Sequence, residues 1–266
     1  MITGTLDNCS GLDAPVLDHA KWTHVATRTR RELVLSRPAP RISDIIEQGK
    51  GFALGASHMA DAASLGVKRE RFEEMYAGQA PWETGRPQQA FVEAADRITG
   101  SILDVGCGPG DNALFFASRG NAVTGADFLE SPIARAQRKA AESGISATFV
   151  LKDALQLSDW SERFDNVLDS GLFHVFSDED RVRYVEGLET VLKPAGHLFL
   201  LCFSDAMPGT QGPRRVSQHE LRTAFSKGWQ IESIEPAVFD VRPEAKAGLF
   251  DGINPKAWFM IARRSA

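Results

Sequence analysis

Asp104, Gly106, Gly108 and Asp127 are the residues whose types and spacing first suggest chemistry. The run Ile102-Leu103-Asp104-Val105-Gly106-Cys107-Gly108-Pro109-Gly110 reads as a short buried strand that turns sharply into a helix. Glycine at 106 and 108 removes the Cβ atoms that would keep a ligand away from the backbone, and it permits unusual φ angles at the turn. Asp104 falls at the carboxyl end of the strand, where ligands dock in open α/β sheets. A dinucleotide-binding turn of the form G-x-G-x-x-G would need glycine at position 111, where this chain has Asp111. That carboxylate faces a helix N-terminus that would otherwise receive a pyrophosphate. The turn therefore suits a ligand without phosphates that carries positive charge, which nearby carboxylates attract. Asp127 ends the next strand, AVTGAD, where an acid can accept ribose hydroxyls. Lys152-Asp153-Ala154 and Asp169-Ser170-Gly171 follow two further strands and would complete the rim and floor of the same crevice.

Strand and helix patterns alternate around these residues. Strands are expected at 101–105, 122–127, 148–151, 164–169, 197–203, 230–238 and 257–263, and the apolar run HLFLLCF suits a strand covered on both faces. Helices are expected at 69–76, 88–98, 112–118, 132–143, 178–192 and 217–225, with Pro132 in a first turn where a missing N–H costs nothing. Repeated βα units imply a doubly wound, mostly parallel α/β sheet with helices on both faces. The stretch APWETGRP between the first two helices is a loop punctuated by proline and glycine. Residues 1–58 carry scattered Arg and Pro without a sustained period, apart from a short helix expected at 42–48. They are expected to be a weakly structured extension, with the compact domain beginning at Met59.

Composition narrows the classes of partner. Thirty basic residues stand against 35 acidic ones, a formal charge of −5, and no long basic run exists to follow a phosphate backbone. Nucleic acid is thus not the expected partner; a neutral or anionic small molecule is. No apolar run reaches the roughly 18–20 residues a membrane-spanning helix needs. Cys9, Cys107 and Cys202 lie far apart, without metal-ligand spacing or a disulfide framework, which fits a reducing cytoplasm.

At Asp104–Gly110 and Asp127 the chain resembles the class I S-adenosylmethionine-dependent methyltransferases, over about residues 68–266. The resemblance implies a seven-stranded Rossmann-like sheet under an N-terminal helical lid, and S-adenosylmethionine as cofactor. It implies that Gly106 and Gly108 hold the methionine part, and Asp104 and Cys107 are expected in the same cofactor site. Asp127 would hold the ribose with Phe128 beside the adenine, and Asp153 and Ala154 would sit at the adenine amine, with Ser170 on the floor. Met75-Tyr76, then Pro81-Trp82-Glu83-Thr84-Gly85-Arg86-Pro87, is similar to the thiopurine-methyltransferase-like branch, within it to bacterial enzymes that methylate heterocyclic toxins such as hydroxyquinolones. Asp169–Phe176, Cys202–Asp205 and Gly212–Arg215 point the same way. In that branch the loop tryptophan lies against the cofactor, implying Trp82; many relatives have Asp where Glu83 stands, which keeps the charge.

The implied reaction is methyl transfer to an O, N or S atom of a small aromatic or heterocyclic molecule. Alternatives are a thiol or halide ion as acceptor, or a non-catalytic cofactor-binding protein. Such a transfer needs positioning above all. His174, in the loop past Ser170, is the expected general base if the acceptor must lose a proton. Arg214 and Arg215 are expected to stabilise an anionic substrate.

Overall fold

The computed structural model describes residues 69–210 and 212–266. The helix expected at 42–48 and the whole 1–58 extension lie outside the described residues.

In chain order the elements are α1 (Arg69–Ala77), α2 (Gln89–Glu93), β1 (Ser101–Val105), α3 (Asp111–Ser118), β2 (Ala122–Asp127), α4 (Glu130–Ser143), β3 (Thr148–Leu151) and β4 (Phe164–Ser170). There follow α5 (Asp178–Val191), β5 (Leu192–Phe203), α6 (Gln218–Ala224), β6 (Trp229–Val238), α7 (Pro243–Leu249) and β7 (Lys256–Arg264). The strands form one seven-stranded sheet in the order β3-β2-β1-β4-β5-β7-β6. β1 to β5 run parallel, and β7 is antiparallel to both β5 and β6. The chain starts in the middle and winds outward twice, so β1 and β4 are neighbours at the reversal of strand order, the point where open α/β sheets take their ligands.

Side-chain alternation divides the core between the two faces. Ile102, Leu168, Phe199, Leu201, Phe259 and Ile261 face one layer with Phe91, Phe116, Ile133 and Ala136. Leu103, Val105, Val167, Leu198, Leu200 and Met260 face the other, with Tyr184, Leu188 and Phe225. Both faces of β5 are buried, which explains its unbroken apolar run.

Local chemistry fixes the helix ends. Ser177 caps α5 by accepting from Asp180 N. Ser217 caps α6 in a reciprocal capping box with Glu220. α4 buries Pro132, Ile133, Ala136 and Ala140 and stops on Gly144 at φ 64°. Three elements differ from the sequence expectation. The helix expected at 88–98 is a five-residue α-helix followed by a 3-10 turn, Ala95–Arg97. β5 begins at Leu192, five residues before the expected strand, because the chain carries its pairing through a bulge opposite Phe164 and Asn166. α7 was not anticipated: its seven residues bury only Ala245, too little to show an apolar period, and only Pro243 in its first turn marks it.

Candidate functional site

The turn from β1 into α3 is built on three glycines in the left-handed region, Gly106 (φ 67°), Gly108 (φ 52°) and Gly110 (φ 80°). Their missing side chains let other groups close over the turn. A Cβ on Gly106 would meet the Leu172 methyls at 3.1 and 3.3 Å, and one on Gly108 would lie 2.8 Å from Tyr76 Oη. The backbone there is a cradle that any other residue would fill.

Carboxylates rim the cradle. Asp104 Oδ2 accepts from Ala113 N at 3.1 Å, capping the first turn of α3, while the buried Oδ1 has no hydrogen-bond partner among the described residues. Burial, reinforced by the nearby charges of Asp127, Asp169 and Asp111, pushes the Asp104 carboxyl up to about 8. Asp127 accepts from Gly108 N and Leu129 N, each at 3.0 Å, and burial raises its pKa against those bonds. Asp127 therefore shapes the glycine turn as well as facing it. Asp169, at the end of β4, accepts from Leu172 N (2.7 Å), Phe173 N (3.0 Å) and Tyr184 Oη (3.0 Å), and burial lifts it to about 7. Asp111 turns away and pairs with Lys139 at 2.6 Å. Asp153 caps the 3-10 turn Ala154–Asp159 by accepting from Leu155 N, and half-buried Ser170 ends β4. The buried Cys107 thiol is held well above its ordinary pKa, first by burial.

The first helix and its loop form a lid over this end of the sheet. Trp82 Nε1 donates to Tyr76 Oη at 3.1 Å. Phe72 lies between the rings of Trp82 (6.1 Å) and Phe128 (6.0 Å), which brings the tryptophan and the aromatic residue after Asp127 into one cluster. Arg135 on α4 fastens the lid, pairing with Glu83 at 2.9 Å and donating to Tyr76 O.

The ends of β4 and β5 differ in character. The His174 ring packs edge-on against Phe203 (5.0 Å) and Phe239 (5.7 Å), and Phe250 continues the cluster. Phe203 N donates to His174 Nδ1 at 3.0 Å, so the ring proton resides on Nε2. Burial, with the cations of Arg181 and Arg215, pushes His174 down to about 3. Its only lone pair is thus engaged by an amide, which runs against the expected role as general base. Arg214 binds Asp178 and Glu220, tying α5 to α6. Arg215 lies over the Phe203 ring at 5.4 Å and donates to Met207 O and Pro213 O. Both arginines, expected to stabilise an anionic substrate, thus have partners within the protein itself.

Sequence reading gave no role to Tyr76, Leu172 or Phe203, although the motif stretches contain them, and did not single out Arg181, Phe239 or Asp240. The part played by Tyr76 and Leu172 shows only in how closely they approach the glycines. Arg181, which is buried against Phe173 O (3.2 Å) and the Phe173 ring (4.5 Å), looked like one more charge on a polar helix.

Comparison with known proteins agrees with this geometry. The family model described as "Methyltransferase domain" matches residues 102–196. The chain is similar to a 2-heptyl-1-hydroxyquinolin-4(1H)-one methyltransferase of Mycobacteroides abscessus, 33% identical over 182 residues, covering 64% of this chain and 80% of that protein. It is also similar to a probable thiol methyltransferase 2 of Arabidopsis thaliana, 29% identical, covering 48% of this chain and 58% of that protein. A solved structure described as "Conversion of a Disulfide Bond into a Thioacetal Group during Echinomycin Biosynthesis" superposes with a TM-score of 0.66 at 33% identity, covering 74% of this chain and 93% of that one. The fold is shared at 23% identity and TM-score 0.56 by a Burkholderia thailandensis 1,6-didemethyltoxoflavin-N1-methyltransferase with bound S-adenosylhomocysteine, covering 81% of this chain and 93% of that one. Among the described residues no helix is long and apolar enough to cross a membrane. Together with a relative 33% identical and covered over 80% of its length, the glycine cradle and its rim of buried acids lead to the family: the chain belongs to the class I S-adenosylmethionine-dependent methyltransferases.

Proposed function

We propose that this enzyme methylates an O, N or S atom of a small aromatic heterocycle, bound beyond the ends of β4 and β5. The observation that carries the reading is Asp104 Oδ1, a buried carboxyl oxygen without a partner among the described residues, beside a glycine cradle. Burial makes this carboxyl hold its proton, and a cationic ligand beside it is what would make the ionised form favourable again. S-adenosylmethionine, when bound, supplies an electrophilic methyl group on a sulfonium.

The chain's own residues then divide the work. Asp104 meets the ammonium of the donor, and Gly106, Cys107 and Gly108 give it backbone close enough to touch. Asp127 keeps free lone pairs for the ribose hydroxyls, with Phe128 and Trp82 providing apolar cover. Asp153 and Ala154 sit at the adenine edge, and Ser170 lies on the floor between donor and acceptor. His174, held as the Nε2–H tautomer, serves as a hydrogen-bond donor and wall rather than a base. An acidic acceptor, such as a hydroxyquinolone oxygen, then arrives already ionised. Arg215 braces the wall through Phe203. The buried aromatic cluster of His174, Phe203 and Phe239 at the ends of β4 and β5 favours a flat ring over a halide ion. A thiol acceptor is the second reading, favoured by the similarity to the Arabidopsis protein.

The test is turnover with S-adenosylmethionine and a panel of hydroxyquinolones, thiols and phenols, detecting S-adenosylhomocysteine. Ring substrates should turn over best. Turnover of small thiols alone would replace the first reading with the second, and failure to bind S-adenosylhomocysteine would remove both.

A further inference from the structure

The lid over the donor end is fastened from an unexpected direction. The four-residue connection Phe239–Arg242, between β6 and α7, bonds to the lid loop at two of its residues, Asp240 and Arg242. Asp240 N donates to Gln88 Oε1 at 2.7 Å and Gln88 Nε2 donates to Asp240 O at 2.9 Å, a reciprocal pair of buried bonds between a side-chain amide and a backbone. The Asp240 carboxylate accepts from Gln89 N at 3.1 Å and pairs with Arg86 at 3.2 Å. Arg242 N donates to Pro81 O at 2.9 Å, and its guanidinium donates to Gln79 O at 3.1 Å. Gln79 and Pro81 lead directly into Trp82.

The same connection reaches the other side of the site. Phe239 packs against His174 (5.7 Å) and Phe203 (5.1 Å), and a Cβ on Gly171 would lie 3.4 Å from its ring. Four consecutive residues thus touch the acceptor wall at one end and the donor lid at the other. Packed interiors move in discrete rearrangements rather than by gradual deformation, so a shift of Phe239 is felt at Asp240.

We propose that the Phe239–Arg242 strap couples the two halves of the site, with Asp240 as the positioning residue that holds the Gln79–Gln89 loop, and with it Trp82, closed over the donor. This rests on the donor reading given above. Asp240 touches neither reactant; it acts through Gln88, Gln89 and Arg86.

The test uses the full chain and S-adenosylhomocysteine as the probe. Affinity is measured by calorimetry for the wild type, Asp240→Ala and Asp240→Asn, together with backbone hydrogen exchange. Exchange resolves the loop amides of Glu83 and Thr84, which are bonded to Ala80 O and Trp82 O, from those of the central strands. Asp240→Ala should weaken the probe about tenfold, the scale of a lost charge-assisted bond, and speed loop exchange while β1 and β4 keep their protection. Asp240→Asn retains an oxygen for Gln89 N and should recover part of both effects. Phe239→Leu, altered only at the acceptor wall, should also speed exchange in the 79–89 loop. Unchanged affinity and loop exchange in Asp240→Ala, with the wild type binding normally, would overturn the strap. So would uniform loss of protection across the sheet. A wild type that does not bind the probe overturns the donor reading itself and the strap with it.

Discussion

The two ends of the crevice satisfy their polar groups differently. At the donor end, under β1 and β2, Asp104 is buried with an oxygen left over and held mostly protonated near neutrality. At the acceptor end, beyond β4 and β5, His174 has spent its lone pair on Phe203 N, and Arg214 is committed to two acids. One end keeps a buried acid with an oxygen unpaired among the described residues; at the other, His174 and Arg214 already have partners, and of its buried polar side chains Arg181 alone keeps a nitrogen, Nη2, unpaired. Under the function proposed above, a charged ligand would gain most at the first end and a flat apolar one at the second.

The largest effect that would break this contrast lies at Asp104. Asp104→Asn should weaken S-adenosylhomocysteine at least about a hundredfold by calorimetry, yet leave the ligand-free protein as stable or more so. It removes a buried carboxylate without removing its shape or its bond to Ala113 N. Loss of both affinity and stability would show Asp104 to be an ordinary cap.

Titration sharpens the same point. The folded pKa of Asp104, about 8, lies above its ordinary 3.8, so the folded state holds the proton more tightly than the unfolded one. That stability is fully present below about pH 4 and is lost as pH rises towards 8. Asp169, at about 7, acts in the same direction. Apparent Tm without ligand should therefore decline across this window, while affinity for the cationic donor climbs; Asp104→Asn should lessen the decline, leaving the part due to Asp169, and flatten the climb.

Gly110→Ala tests the cradle. Its Cβ would lie 2.9 Å from both Ala136 Cβ and Phe149 Cε1, at φ 80°. Denaturant unfolding should show a loss of about 3 kcal/mol, combining overpacking with backbone strain. His174→Gln should lower kcat by about threefold without changing the shape of its pH profile between 5 and 8, because a ring held at about 3 has no titration there. A lost acidic limb would restore the histidine as a base. The smallest effect is expected at Arg214→Ala: activity within about twofold, and no more than about 1 kcal/mol of stability from a partly exposed ion-pair cluster.

The donor end was legible in the sequence because a strand, a turn and a helix in direct succession build it. Asp104, Gly106 and Gly108 are close in the chain and therefore close in space, and Asp127 follows at the end of the neighbouring strand. The acceptor end was not. His174, Phe239 and Phe250 come from three separate connections and Phe203 from the end of β5, and nothing in local periodicity says that they meet. His174 was visible as a residue, but its chemistry depends on an amide from Phe203, on the far side of α5. Asp240 was hidden for the same reason, since Gln88 lies 152 positions away. The sheet itself was readable from its apolar runs, whereas the bulge in β5 depends on the edge of β4 and left no mark.

The unpartnered oxygen of Asp104 also bears on the protein's lifetime in a cell. A fold completed by its ligand gains stability in proportion to the logarithm of that ligand's concentration. Scarcity of the methyl donor should therefore raise the fraction of chains that open and meet proteases, so that the amount of enzyme present follows the supply of what it consumes.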